Sequence, residues 1–69
     1  MAKNLKQQIE SIKNELKIQK KELKDIPIHE FKNAFMITSG YGVKKINEWT
    51  ERFNDLELIA IEGGKINFV

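Results

Sequence analysis

The chain has 69 residues, a net charge of +2 and no cysteine, which limits it to one small domain with a single core. Disulfides and thiolate-held zinc or iron–sulfur centres are excluded, and the one histidine, His29, cannot build a histidine-rich metal site alone. No metal or cofactor is expected. No apolar run reaches the roughly 18–20 residues of a membrane span and no signal peptide opens the chain, so a cytoplasmic protein is expected.

The small net charge hides an asymmetry. Residues 1–27 carry Lys3, Lys6, Lys13, Lys17, Lys20, Lys21 and Lys24 against Glu10, Glu15, Glu22 and Asp25, a balance of +3. Residues 28–69 carry Lys32, Lys44, Lys45, Arg52 and Lys65 against Glu30, Glu48, Glu51, Asp55, Glu57 and Glu62, a balance of −1. A chain this short is marginal by itself, and with disulfides and metals excluded the remaining staple is association.

From Ala2 to about Asp25 there is no Gly or Pro, and Lys, Glu, Gln and Leu dominate, which predicts a long helix ending before Pro27. Its apolar stripe fits a heptad, with Ile9, Leu16 and Leu23 at a and Leu5, Ile12 and Gln19 at d. About 23 helical residues span roughly 35 Å, whereas the remaining residues form a body only about 24 Å across. Part of the helix should therefore overhang. Residues 1–26 are expected to be a dimerisation element, with Leu5, Ile9, Ile12, Leu16, Gln19 and Leu23 at the seam. The alternative is that the stripe packs on the chain's own C-terminal half.

Residues 27–69 form the body. Ile26-Pro27-Ile28 is extended but too brief for a full strand. From His29 to about Ile37, Phe31, Ala34, Phe35 and Ile37 share one face at helical spacing. Thr38-Ser39-Gly40-Tyr41-Gly42 breaks that helix, and Ser39 or Thr38 is placed to cap the next. A third helix runs from about Gly42 to Asn54, with Val43, Ile46, Trp49, Thr50 and Phe53 inward. Lys44, Lys45, Asn47, Glu48, Glu51 and Arg52 are left outside. Then Leu58–Glu62, Gly63-Gly64 and Lys65–Val69 read as a β-hairpin, because Gly-Gly supplies the positive φ angles of a two-residue turn. Closure there pairs Glu62 with Lys65, Ile61 with Ile66, Ala60 with Asn67 and Ile59 with Phe68. One face then carries Ile59, Ile61, Ile66 and Phe68.

This order, within an α+β class, resembles the winged helix-turn-helix superfamily of DNA-binding domains. The likeness is carried by Ile28-x-Glu30-Phe31-x-x-Ala34-Phe35, by Val43-x-x-Ile46-x-x-Trp49-x-x-x-Phe53-x-x-Leu56-x-Leu58-Ile59, and by the Gly63-Gly64 wing. Glu57 stands where the family often has glycine, and the turn between the motif helices is a few residues longer than usual. The resemblance implies that residues 42–54 are a recognition helix whose N-terminal part enters the major groove of double-stranded DNA. Lys44, Lys45 and Glu48 would then face bases or phosphates, and Ser39 and Tyr41 phosphate oxygens. Arg52 would reach the backbone, and Lys65 at the wing tip a phosphate.

Nothing in the chain reads as an enzyme. Gly40-Tyr41-Gly42-Val43-Lys44-Lys45 lacks the spacing and preceding strand of a phosphate loop, and the serines have no His and carboxylate constellation. The expectation is a small dimeric DNA-binding protein, acting in transcription regulation or as an accessory factor in DNA transactions such as replication. The alternative is a winged-helix adaptor for a protein partner, such as a replication polymerase or helicase of a mobile element. It draws on the weakly acidic body.

Overall fold

In a computed structural model, which describes residues 4–69, the chain begins with a reciprocal cap. The Asn4 Oδ1 accepts from the Gln7 N–H at 2.8 Å, and the Gln7 Oε1 accepts from the Asn4 N–H at 3.2 Å. Two of the helix's unpaired donors are thereby satisfied. Helix α1 then runs over Leu5–Ile18. It is shorter than its composition suggests, and Ala2 and Lys3 lie outside the described residues.

What stops α1 is a backbone device and not a breaker residue. Lys20 adopts a left-handed φ of 60°. Its N–H donates to the Lys17 C=O at 2.9 Å, and the Lys21 N–H donates to the Leu16 C=O at 2.9 Å, the pairing of a Schellman stop. Residues 19–25 therefore leave the helix axis. Fourteen helical residues span about 21 Å, inside a molecule of 31 × 26 × 20 Å, so no long overhang forms.

Strand β1 is Ile26–Pro27, and helix α2 follows directly over Ile28–Ser39. It ends at Gly40, whose φ of 74° lets its N–H close onto the Met36 C=O at 2.8 Å. Helix α3 is Val43–Asp55. Strands β2, Ile59–Glu62, and β3, Lys65–Phe68, complete a three-stranded antiparallel sheet in the order β1-β3-β2. The hairpin register is the one its alternation dictates: Ile59 opposite Phe68, Ala60 opposite Asn67, Ile61 opposite Ile66, Glu62 opposite Lys65. Gly63 and Gly64 sit at φ 55° and 75°, as the tight turn requires. Beyond the expected hairpin, the Ile26-Pro27 step is a true strand, with Ile26 opposite Ile66 and Pro27 opposite Lys65. The Ile28 N–H also donates to the Gly64 C=O at 3.1 Å.

The core joins all these elements. Ile9, Ile12 and Leu16 of α1 are buried with Ile26, Phe31, Ala34, Phe35, Ile46, Phe53, Ile59 and Ile66. Phe35 is its hub, stacked on Phe53 at 5.4 Å, edge-on to Phe31 at 6.3 Å and to Tyr41 at 5.9 Å. Burying a ring or aliphatic chain of this size stabilises by about 1.5–3 kcal/mol.

The apolar residues expected at a dimer seam lie against this core. Ile12 and Leu16 are 0% exposed and Ile9 is 6% exposed, all within one chain. Leu5 and Leu23 pack partly buried against the same core, and Gln19 donates to the Glu15 carboxylate at 2.8 Å. The stripe thus packs on its own chain, the alternative placed beside the seam, while Ile18 at the end of α1 stays 75% exposed. Two further inward expectations give way: Val43 is 63% exposed and Ile37 is 56% exposed, because each lies at the edge of its helix's buried face.

Candidate nucleic-acid interface

The turn between α2 and α3 sets the surface on which the expected DNA contacts lie. The Ser39 Oγ donates back to the Phe35 C=O at 2.7 Å and accepts the Tyr41 N–H at 3.1 Å. Thr38 likewise turns back to the Phe35 C=O, at 3.2 Å. Neither caps α3, whose N-cap is Gly42 with no side-chain hydrogen bond. Ser39 is thus a turn-forming residue, its hydroxyl engaged twice within the chain. As an expected phosphate ligand it is the weakest member of the set.

Helical spacing sets two of the rows along the exposed side of α3, apart from Val43, Asn47 and Asn54 on its other flank. Lys44, Glu48, Glu51 and Asp55 form the outermost row, all exposed, opposite the buried Ile46, Thr50 and Phe53. Lys45, Trp49, Arg52 and Leu56 form a flanking row. The Lys45 Nζ lies 5.0 Å from the Tyr41 ring centre, and the Arg52 guanidinium lies 5.1 Å from that of Trp49. Tyr41 is only half-buried, its ring between Phe35 and Lys45. Trp49, expected inward, packs partly buried against the core, tilted on Phe53 at 6.1 Å.

A shallow groove runs beside the outermost row. Its walls include Lys44, Glu48 and Glu51 of α3, Ile28 and Lys32 of α2, and Ile61 of β2. Lys32 is the contributor that sequence reasoning missed; it enters only because α2 packs its first turns beside α3. Lys65 is exposed at the hairpin, across from Glu62 and beside Pro27. It is not among the groove's lining residues. The arrangement thus places Lys44, Lys45, Glu48 and Arg52 on the exposed side of α3, with Tyr41 beneath Lys45 and Ser39 bonded to the Tyr41 backbone, and leaves Lys65 on the hairpin.

Its electrostatics are mixed along the helix axis. The first turn of α3 has Lys44 and Lys45 and no acidic residue, whereas Glu48, Glu51 and Asp55 follow from the second turn on. Among the described residues, no carboxylate lies within ion-pair distance of Lys44, Lys45 or Arg52. These cations therefore have no direct carboxylate partner among the described residues. Among the described residues no three His, Asp or Glu side chains converge as a metal site, and no helix is long and apolar enough to cross a membrane.

Comparison with protein-family models, with curated proteins and with solved structures finds no match to this chain.

Proposed function

We propose that the chain is a winged helix-turn-helix protein that binds double-stranded DNA through the N-terminal half of α3, as a transcription regulator or an accessory factor in DNA transactions. The observation that carries this reading is the element order. A helix, a short strand, two helices joined by a glycine-flanked turn, and a C-terminal hairpin build a sheet ordered β1-β3-β2. This is the order expected of that superfamily. It leaves the first turn of α3 exposed, with Lys44 and Lys45, which have no direct carboxylate partner among the described residues, at the end free of acids. Lysines there are suited to guanine edges or phosphates.

The test is binding of the full chain to random-sequence duplex and to single-stranded DNA at two salt concentrations. The expected result is duplex binding that weakens steeply with salt, as counterion release requires. Lys44→Glu with Lys45→Glu should weaken it strongly and lower the salt slope of the residual binding by about two. Salt-independent binding, or none at low ionic strength, overturns the reading.

A second reading, an adaptor for a protein partner, is favoured by the row Glu48, Glu51 and Asp55. These carboxylates face outward along the length of α3 that a DNA groove would otherwise cover.

A further inference from the structure

The flanking row of α3 has a composition of its own. Lys45, Trp49, Arg52 and Leu56 follow one another at steps of four, three and four residues, so they share one face. Tyr41 continues the row into the turn, beneath Lys45. Each ring bridges the core to a cation: Phe35 lies against Tyr41 and Lys45 over it, Phe53 against Trp49 and Arg52 over it. The row ends in Leu56, which is 51% exposed.

Three features define what fits it. Lys45 and Arg52 are held by the rings and have no carboxylate partner among the described residues, so an anion arriving there meets side chains already positioned. They stand seven residues apart on one helix, about 10 Å at 1.5 Å per residue, which matches carboxylates seven positions apart on another helix. Between and beyond them, the uncovered part of Trp49 and the exposed Leu56 offer apolar surface.

A nucleic acid strand fits less well. The rings carry the chain's own cations, which occupy the faces on which bases would stack. A phosphate backbone is anionic throughout and would run beside Glu48, Glu51 and Asp55. Leu56 gains nothing from a phosphate. A peptide helix, by contrast, can set a neutral or basic residue against the acidic row and an aliphatic one against Leu56.

We propose that the Tyr41–Leu56 flank of α3 docks an acidic amphipathic helix of a protein partner. Two of the helix's carboxylates seat on Lys45 and Arg52, and an aliphatic side chain packs on Trp49 and Leu56. This mode belongs to helix-on-groove recognition, in which charge sets register and the apolar anchor holds. The proposal stands whether or not the first turn of α3 meets DNA.

Trp49 is the chain's one tryptophan, so its emission reports occupancy of this flank. The probe is a synthetic helical peptide with two glutamates seven positions apart, leucines between them and a lysine on the side facing Glu48. The expected result is a saturable change in Trp49 emission. Arg52→Glu and Leu56→Gln should each weaken binding about tenfold, and Glu48→Gln, which removes the carboxylate facing the peptide's lysine, should weaken it by a smaller factor. A control peptide with the two glutamates replaced by lysine should not bind. Duplex DNA is titrated in parallel: Leu56→Gln should leave that titration unchanged, and Lys44→Glu should weaken it while sparing the peptide. Failure of the DNA titration therefore leaves the docking result readable, and the reverse. The proposal is overturned by absence of a saturable signal, by peptide binding indifferent to Leu56→Gln, or by equal binding of the lysine control.

Discussion

Asp25 and Asn67 clasp each other across the edge of the sheet. The Asp25 N–H donates to the Asn67 Oδ1 at 2.8 Å, and the Asn67 Nδ2 donates back to the Asp25 carboxylate at 3.3 Å. The pair joins residues 42 positions apart in the chain. It fixes the loop after α1 to the middle of β3, with Asp25 itself at a left-handed φ of 52°. Strand β1 begins at the next residue, so the clasp sets where β1 enters the sheet.

Asn67→Ala removes both bonds and should destabilise the chain by about 1 kcal/mol. Asn67→Asp should cost at least as much, because it places a second carboxylate against Asp25. Urea midpoints of the two variants measure this; a midpoint unchanged in Asn67→Ala would show that the clasp contributes nothing.

Helix α3 stops as α1 does. Glu57 takes a φ of 60°, its N–H donates to the Asn54 C=O at 3.0 Å, and the Leu58 N–H donates to the Phe53 C=O at 2.9 Å. The position where the resembled superfamily often has glycine is therefore one where a left-handed backbone is needed. A side chain there is strained by about 1–2 kcal/mol, partly offset by the extra freedom that glycine loses on folding. Glu57→Gly should stabilise by roughly 0.5–1 kcal/mol, raising Tm by about 2–8 °C. Glu51→Gly, inside α3, should do the opposite.

Lys21 bonds the Glu30 carboxylate and so lowers its pKa below the ordinary 4.5; desolvation opposes this, and the Lys21 and His29 charges add smaller lowering effects. A carboxylate held below its unfolded value contributes stability above that value and loses it as pH falls through the folded one. The stability of the wild-type chain should therefore decline on acidification below about pH 5 more steeply than that of Glu30→Gln. Denaturant midpoints across that range decide it; parallel curves would remove any role for the pair.

Ile12 is fully buried within one chain. Ile12→Ala should cost about 2–5 kcal/mol, a large part of the roughly 5–15 kcal/mol available to a domain. The loss should be the same at every protein concentration, since Ile12 is already covered by its own chain. A Tm of the wild type that climbs with concentration would point to burial shared between chains.

The parts of this fold written in local pattern were legible in the sequence. Gly63-Gly64 between alternating strands fixed the hairpin to the residue, and the spacing of Ile46, Thr50 and Phe53 put Lys44, Lys45, Glu48 and Arg52 on the outside of α3. What was not legible depended on backbone choices or on distant partners. Lys20 ends α1 in a conformation that lysine seldom adopts, with no glycine or proline to announce it. Ile26-Pro27 becomes a strand only because β3, some forty residues on, arrives beside it. Ser39 turned back to Phe35 instead of forward to α3, two options that sequence weighs equally. The cation–ring pairs of the candidate site were hidden for the same reason, since Tyr41 lies in the turn and meets Lys45 only once that turn is closed.

Pro27 has one more effect. In β1 the Ile28 N–H points to the hairpin, so the preceding residue faces the sheet's outer margin, and proline has no N–H to present there. That margin lacks a donor at the second residue of a strand two residues long, which leaves little for an incoming chain to pair with. The other margin is β2. A sheet with at most one margin open to strand addition can join a single further copy and then has no free end, so assembly by this route closes at a pair and cannot propagate into a fibre.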